Sequence, residues 1–368
     1  TNNPSVSSTY TSTNSTVNPS VTKPHHHSIR YLMDCKELVP RAFDLSAYEF
    51  GMPQQSGSLT VVPIFGRDWD LPNPKNKDQN QFTGPLSGLK LNRVVGYGNV
   101  ELSNPATSGV AIVPLHIGYI QDQAQNHALC RSAFIAAGQT LLFEDACCVQ
   151  QSQGGYLEGR EQWFFILPLQ LRWEALQIRG QKSYSKLWNG ISHLNTQFDL
   201  PSRGHLEQIV TRQRAVLTQY QSRLELLENQ IGALFLIGDK LAGIEIAPTS
   251  AYFQEMWMPL VCFCYGTAAM FFEKKVVRQN QTPLPFEASN LTELREQLAK
   301  SRDRFQEKVQ DHLQNTPKEK FEIQEEERFL SLHLKTALGN NFAGQFVEND
   351  GQLAYASLFA KPEYLAQK

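Results

Sequence analysis

The sequence predicts an α+β protein, a strand-rich body with long packed helices and a C-terminal β-meander. Three patterns carry this reading. Between Ser58 and Arg172, short apolar runs rich in Val, Ile and Phe are broken by turn residues. Between Leu206 and Leu227, apolar residues step at helical intervals. From Phe321 onward, strand-length runs are punctuated by Gly339-Asn340-Asn341 and Asn349-Asp350-Gly351.

Taken in chain order, residues 1–28 form an N-terminal arm. In its first 22 residues, 18 are Ser, Thr, Asn or Pro and none is charged, a composition that cannot bury a core of its own. Such a segment is ordered either by lying on its own body or by adding to a neighbour's sheet edge, and the second route makes an assembly. His25, His26 and His27 follow, but consecutive imidazoles do not converge on one ion without a bend and no second cluster supplies further ligands, so no metal is expected.

Residues 29–200 read as the strand-rich region. Strands are expected at 59–65, 109–120, 134–143 and 161–173, separated by a polar loop over 66–85. Pro63, Pro114 and Pro168 interrupt three of these runs and point to edge positions or bulges. Residues 201–315 read as helices with a β-hairpin. Leu206, Val210, Gln213, Leu217, Tyr220, Leu224 and Leu227 predict one helix of more than about 30 Å. Two apolar stretches around Gly238-Asp239-Lys240 predict a hairpin over 231–247. The uncharged run 256–272 is shorter than the roughly 20 residues of a membrane span and contains Pro259 and Gly266, so it reads as a buried helix, with Ser250 as N-cap. A second long helix starts at Asn290, with Glu293 completing a capping box; Leu291, Leu294, Leu298, Phe305 and Val309 form its apolar face. Residues 316–368 are the meander, with strands at 321–324, 328–338, 342–348 and 352–360, and Glu325-Glu326-Glu327 facing water where the second begins.

Composition limits function. There are 34 Lys+Arg against 36 Asp+Glu, a formal charge of −2, without the basic excess that phosphate neutralisation needs. No nucleic-acid partner and no stable membrane insertion are expected. The six cysteines include the neighbours Cys147-Cys148 and the near neighbours Cys262 and Cys264, so the set reads as reduced; with no charged-then-apolar leader visible, the cytoplasm is expected.

Catalytic signatures are absent: there is no GxxxxGK[ST], GxSxG, HExxH or CxxC. Gly96-Tyr97-Gly98 lacks the third glycine of a dinucleotide loop, and Asp68 and Asp70 form a loop carboxylate pair of the kind that is usually only polar. Glu144 and Asp145 oppose thiolate formation at Cys147 and Cys148, which favours a buried structural role. No cofactor is implied, and the sequence leaves open whether the chain is an enzyme. The segment with the most binding chemistry is the Gln/Gly-rich turn after Ala146 and the apolar run that follows it. Gln150, Gln153, Tyr156, Arg172 and Trp173 of this segment, with Gln139 ahead of it, are the candidate ligand-binding residues, because amide donors beside close backbone suit a small ligand.

These same residues carry a resemblance. The strand Leu59-Thr60-Val61-Val62-Pro63, the Ala137-Gly138-Gln139 stretch leading into a Gln-containing turn, Arg172-Trp173 at the end of an apolar run, the Gln230–Ile246 hairpin and the helix near Tyr252 resemble a bacterial family, the ARG and Rhodanese-Phosphatase-superfamily-associated protein domain, over roughly residues 58–272. This chain has Gly138-Gln139 where that family commonly shows Gly-Glu, and Gln150-Gln151-Ser152 where it shows Gln-Asn-Arg. The resemblance implies no set reaction, only an association with nucleotide or ADP-ribose metabolism. Two functions follow as expectations. The first is a non-catalytic scaffold that self-associates into a homo-oligomer through its arm and helical surfaces. The second is a protein that binds, or hydrolyses, a nucleotide-like or ADP-ribose-like ligand.

Overall fold

The computed structural model describes residues 37–67, 82–120, 126–151, 163–276 and 287–368. The arm, the three histidines, Cys35, Asp68, Asp70, Gln153 and Tyr156 lie outside these residues. The chain first makes β1 (Tyr48–Phe50), β2 (Gln54–Ser56) and β3 (Leu59–Gly66). Six short strands follow, β4 (Lys90–Gly96), β5 (Asn99–Ser103), β6 (Val110–Ile112), β7 (Ile117–Ile120), β8 (His127–Ala128) and β9 (Phe134–Ala136). Then come β10 (Thr140–Phe143), β11 (Cys147–Cys148) and β12 (Trp163–Ile166). The helices α1 (Leu169–Gln177), α2 (Trp188–Gln197), α3 (Glu207–Arg212) and α4 (Arg214–Arg223) lead to the hairpin β13 (Gly232–Ile237) and β14 (Lys240–Ile246). Next, α5 (Ser250–Met258) and α6 (Gly266–Lys275) flank a π-helical stretch, Pro259–Tyr265. The long α7 (Leu291–Gln314), the meander β15 (Glu322–Phe329), β16 (Leu332–Leu338), β17 (Phe342–Asn349) and β18 (Gln352–Ala360), and the short α8 (Pro362–Ala366) complete the fold.

One nine-stranded antiparallel sheet organises the molecule, in the order β1-β3-β13-β14-β18-β17-β16-β15, with β2 also on β3. Its central strands are buried on both faces, so they read as continuous apolar runs rather than alternating ones. Successive residues serve opposite layers. Val61, Phe235 and Phe359 face the layer of small sheets and helices α1 to α6. Val62, Leu234 and Leu358 face a second core closed by Val309 and Leu313 of α7, by Val39, Leu45 and Phe50, and by Tyr364.

The hairpin and the buried apolar helix take the form the sequence predicts, the meander keeps its four strands but its first turn falls at Leu330-Ser331, dividing the expected 328–338 strand, and several local expectations are corrected. Pro63 sits in an interior strand; its carbonyl accepts from Gly51 N (2.8 Å), so its missing N–H faces the break between β1 and β2. The run 161–173 is strand only through Ile166; Pro168 then suits a helix N-terminus and α1 follows. The 109–120 run is two strands joined through Pro114 and His116. The predicted long helix is two, α3 and α4, interrupted at Gln213; Leu206, Val210, Leu217, Tyr220 and Leu224 are buried at the predicted spacing, because the seam is satisfied across a kink. Thr249, not Ser250, caps α5, accepting from Tyr252 N. Asn290 caps α7 through Glu293 N (2.9 Å) while Glu293 reaches back to Ser289. The glutamate run lies inside β15, where a bulge between Glu325 and Glu327 turns the three carboxylates to different partners: Arg328, Arg179 and the Phe134 N–H. The helical span Ser250–Lys275 is long and apolar enough to cross a membrane by length and composition, and most of its apolar window is buried inside the protein.

Candidate functional site

A row of polar side chains crosses the sheet on the face that carries α1. Glu245, Ser357, Gln345, Thr336 and Gln324 are direct cross-strand neighbours on β14, β18, β17, β16 and β15. Burial of polar groups is costly unless each finds a partner, and here α1 supplies Arg172 and the turn that follows it supplies Arg179. Arg172 Nη1 donates to Glu245 Oε1 at 2.7 Å and Nη2 to Ser357 Oγ at 2.5 Å. Two turns on, Arg179 donates to Glu326 (2.7 Å) and Gln324 (3.0 Å). Between them, Gln345 donates to Thr336 (3.0 Å) and Thr336 to Glu326 (2.6 Å).

The Arg172 end is closed off from solvent. Arg172 is 0 % exposed and Glu245 5 %. Nε donates to His116 Nδ1 (3.1 Å), which sets the imidazole as an acceptor there, and the guanidinium lies 4.8 Å over Phe359. Tyr265 stacks on Phe235 at 4.1 Å and donates to Glu245 (2.7 Å). Its position follows from two local features. The π-helical stretch after Pro259 turns Cys264 and Tyr265 toward β14. Gly243 leaves room, since a Cβ there would lie 1.9 Å from the Tyr265 hydroxyl. Burial and the neighbouring Arg172 charge hold the His116 imidazole well below its usual pKa, so it is neutral. Burial pushes the Cys264 thiol up to about 12 although Arg172 acts against it, so this sulfur is not a ready nucleophile. The adjoining cavity, between Pro114, Glu245, Tyr252 and Tyr355, measures about 10 Å³, room for roughly one water.

The other face of α1 walls a much larger space. Leu169, Gln170, Leu171 and Glu174, with α2, α6, the β13–β14 turn and α8, enclose a cavity of about 670 Å³. Its inner surface is apolar, with Leu171, Leu194, Ile237, Ala268, Phe271 and Leu365, and Glu174, His193, Lys240 and Lys275 add polar groups. Gly190 lets α2 close on α1, because a Cβ at this position would lie 2.3 Å from the Glu174 carboxylate. Burial raises the Glu174 carboxyl above the ordinary glutamate range. Lys240 Nζ donates to the carbonyls of Tyr364 (3.2 Å) and Gln367, fixing the C-terminal wall, and Lys275 lies 4.4 Å over the Phe271 ring. The arrangement offers apolar lining, a carboxyl whose neutral form burial favours, and cationic groups. Among the described residues no cluster of His, Cys, Asp and Glu is arranged to hold a metal ion.

The residues singled out in the sequence occupy several environments. Gln139 is exposed at the β9–β10 turn, its carbonyl accepting from Asn104 N (2.9 Å). Gln150 is buried and accepts from Asn126 N (3.3 Å). Arg172 belongs to the sheet network, and the adjacent Trp173 ring lies 3.9 Å from Lys361 Nζ. The partners of Arg172, and the cavity residues on α2 and α6, carried no motif. Glu245 had a readable signal, as a single carboxylate inside the apolar strand Leu241–Ile246 requires a buried partner.

The ARG and Rhodanese-Phosphatase-superfamily-associated Protein domain matches residues 47–359, and the chain belongs to that family. The match runs from the start of β1 to Phe359 in β18, so it takes in the main sheet but for its last residue and the polar row, while α8 on the wall of the large cavity lies beyond it. No curated protein and no solved structure matches the chain.

Proposed function

We propose that this member of the family binds a small, largely apolar molecule with a polar end in the 670 Å³ cavity beside α1. The observation that carries the reading is the cavity itself: its volume falls within the roughly 300–1,000 Å³ of small-molecule sites, and an apolar interior with a few polar groups is what such sites offer. Glu174 and the lysines orient the polar end, while Phe271, Leu194 and Ile237 take the apolar body. Fluorescence titration of the full chain with anilinonaphthalene sulfonate tests it. A saturable single site is expected, weakened at least about tenfold in Ala268→Phe, which fills the cavity, with the circular dichroism spectrum unchanged. Equal binding by both proteins removes the reading. Displacement of the probe by ADP-ribose extends the reading to nucleotide-like ligands.

A second reading, self-association, is favoured by α7. Leu291 and Leu298 are 71 % and 43 % exposed, on the same helix face that buries Val309 and Leu313 further along, so the apolar stripe continues beyond the body. Light scattering on the full chain, on Leu291→Glu/Leu298→Glu and on a chain lacking residues 1–24 separates the contributions of helix and arm. A full-chain monomer at every concentration removes this reading.

A further inference from the structure

Cys130 and Cys147 meet in the small four-stranded sheet. Cys147 is paired with Ala128 of β8, and Cys130 follows β8 by two residues. Their sulfurs are 2.7 Å apart and both residues are buried. Unbonded heavy atoms pack at roughly 3.5–4.0 Å, so two separate thiols are crowded here, while only a small approach reaches bonding distance. The surrounding contacts hold the two backbones together. Arg131 pairs with Asp145 at 3.0 Å and lies 4.8 Å over Phe143, and Asp145 also accepts from Gly180 N (3.0 Å). Cys148 does not compete, as successive strand residues point to opposite faces, and its thiol donates to the Gln150 carbonyl (3.1 Å).

We propose that Cys130 and Cys147 are joined by a disulfide formed as the chain folds, by exchange with a small-molecule disulfide of the glutathione class. The Cys130 thiolate attacks one sulfur of glutathione disulfide and releases a glutathione thiolate. The Cys147 thiolate then attacks Cys130 Sγ in the mixed disulfide and releases the second. The two protein thiols lose two protons and two electrons, and glutathione disulfide becomes two glutathione molecules. Timing matters, because in the finished fold, while still reduced, the Cys130 contact and then burial hold the Cys147 thiol well above its usual pKa. Thiolate is then scarce and access is closed, so the state set during folding persists.

The test refolds the full chain from denaturant in mixed reduced and oxidised glutathione, quenches with acid, unfolds it again and alkylates without reductant before intact-mass measurement. Of the six cysteines, two are expected to escape alkylation, and proteolysis should yield a linked pair of peptides carrying Cys130 and Cys147. In Cys130→Ala every remaining thiol should be alkylated, whereas in Cys262→Ala the linked pair should persist. The peptide map of the unaltered chain decides the matter even if a variant fails to fold. Alkylation of all cysteines at every glutathione ratio, or a link joining other cysteines, overturns the proposal.

Discussion

Removing Arg172 while leaving Glu245 strands a carboxylate inside the sheet, where its hydration cannot be recovered. Arg172→Met should therefore destabilise the fold by about 3–5 kcal/mol, measured by urea denaturation. Arg172→Met/Glu245→Met should recover much of that loss, because the double change removes both charges. Equal losses in the single and double variants would show that packing, not charge, dominates. His116 adds a pH dependence. Its imidazole is neutral in the fold because its pKa is lowered, whereas the unfolded chain titrates at its ordinary value of about 6.5. The unfolded state therefore binds the extra proton as pH falls, and stability, complete above 6.5, declines below it by up to about 1.4 kcal/mol per pH unit. His116→Asn keeps an acceptor and tolerates the positive φ of 64° found here, and it should flatten the decline between pH 6.5 and 5.5. A parallel decline in the variant would assign the effect to other groups.

At the level of elements, the contact between β14 and the π-helical stretch is tight. In an unobstructed strand, Gly→Ala gains about 0.5–1 kcal/mol from backbone entropy. At Gly243 the new methyl meets a Tyr265 ring already stacked on Phe235, so Gly243→Ala should instead cost about 1–3 kcal/mol. A variant as stable as the parent in urea denaturation would refute the clash. This contact also marks the limit of what the sequence discloses. The β13–β14 hairpin was legible because Gly238-Asp239 interrupts two apolar runs, and α7 because Asn290 and Glu293 form a local cap; both signals lie within a few residues. The end of β12 and the kink at Gln213 were not, since Leu169–Trp173 and Leu206–Leu227 keep a periodicity that tertiary packing divides. The candidate site was less legible still. Arg172 was picked out by its position, but its partners lie on β14, β18 and the segment before β7, and pairing across such separations leaves no local pattern. The large cavity arises where α1, α2, α6 and α8 fail to fill the space between them, a property of assembled shapes.

At the level of the molecule, the main sheet is a wall shared by two cores. Its strands come from residues 48–66, 232–246 and 322–360, so neither core closes until distant parts of the chain have paired. Val61 and Val62, or Leu234 and Phe235, belong to opposite layers while sharing one backbone, and loosening either layer exposes apolar surface on the strands that support the other. The polar row strengthens this dependence by tying α1 and the turn after it to β14, β18 and β15, through Arg172 on Glu245 and Ser357 and Arg179 on Gln324 and Glu326. The described residues should therefore unfold as one cooperative unit. In urea, the fluorescence of the five tryptophans, among them Trp173 and Trp257 on the α1 side, should change at the same midpoint as far-UV circular dichroism, which reports both layers and α7. Separate midpoints would mean that the α7 layer detaches from a surviving sheet, and the shared-wall argument would then fail.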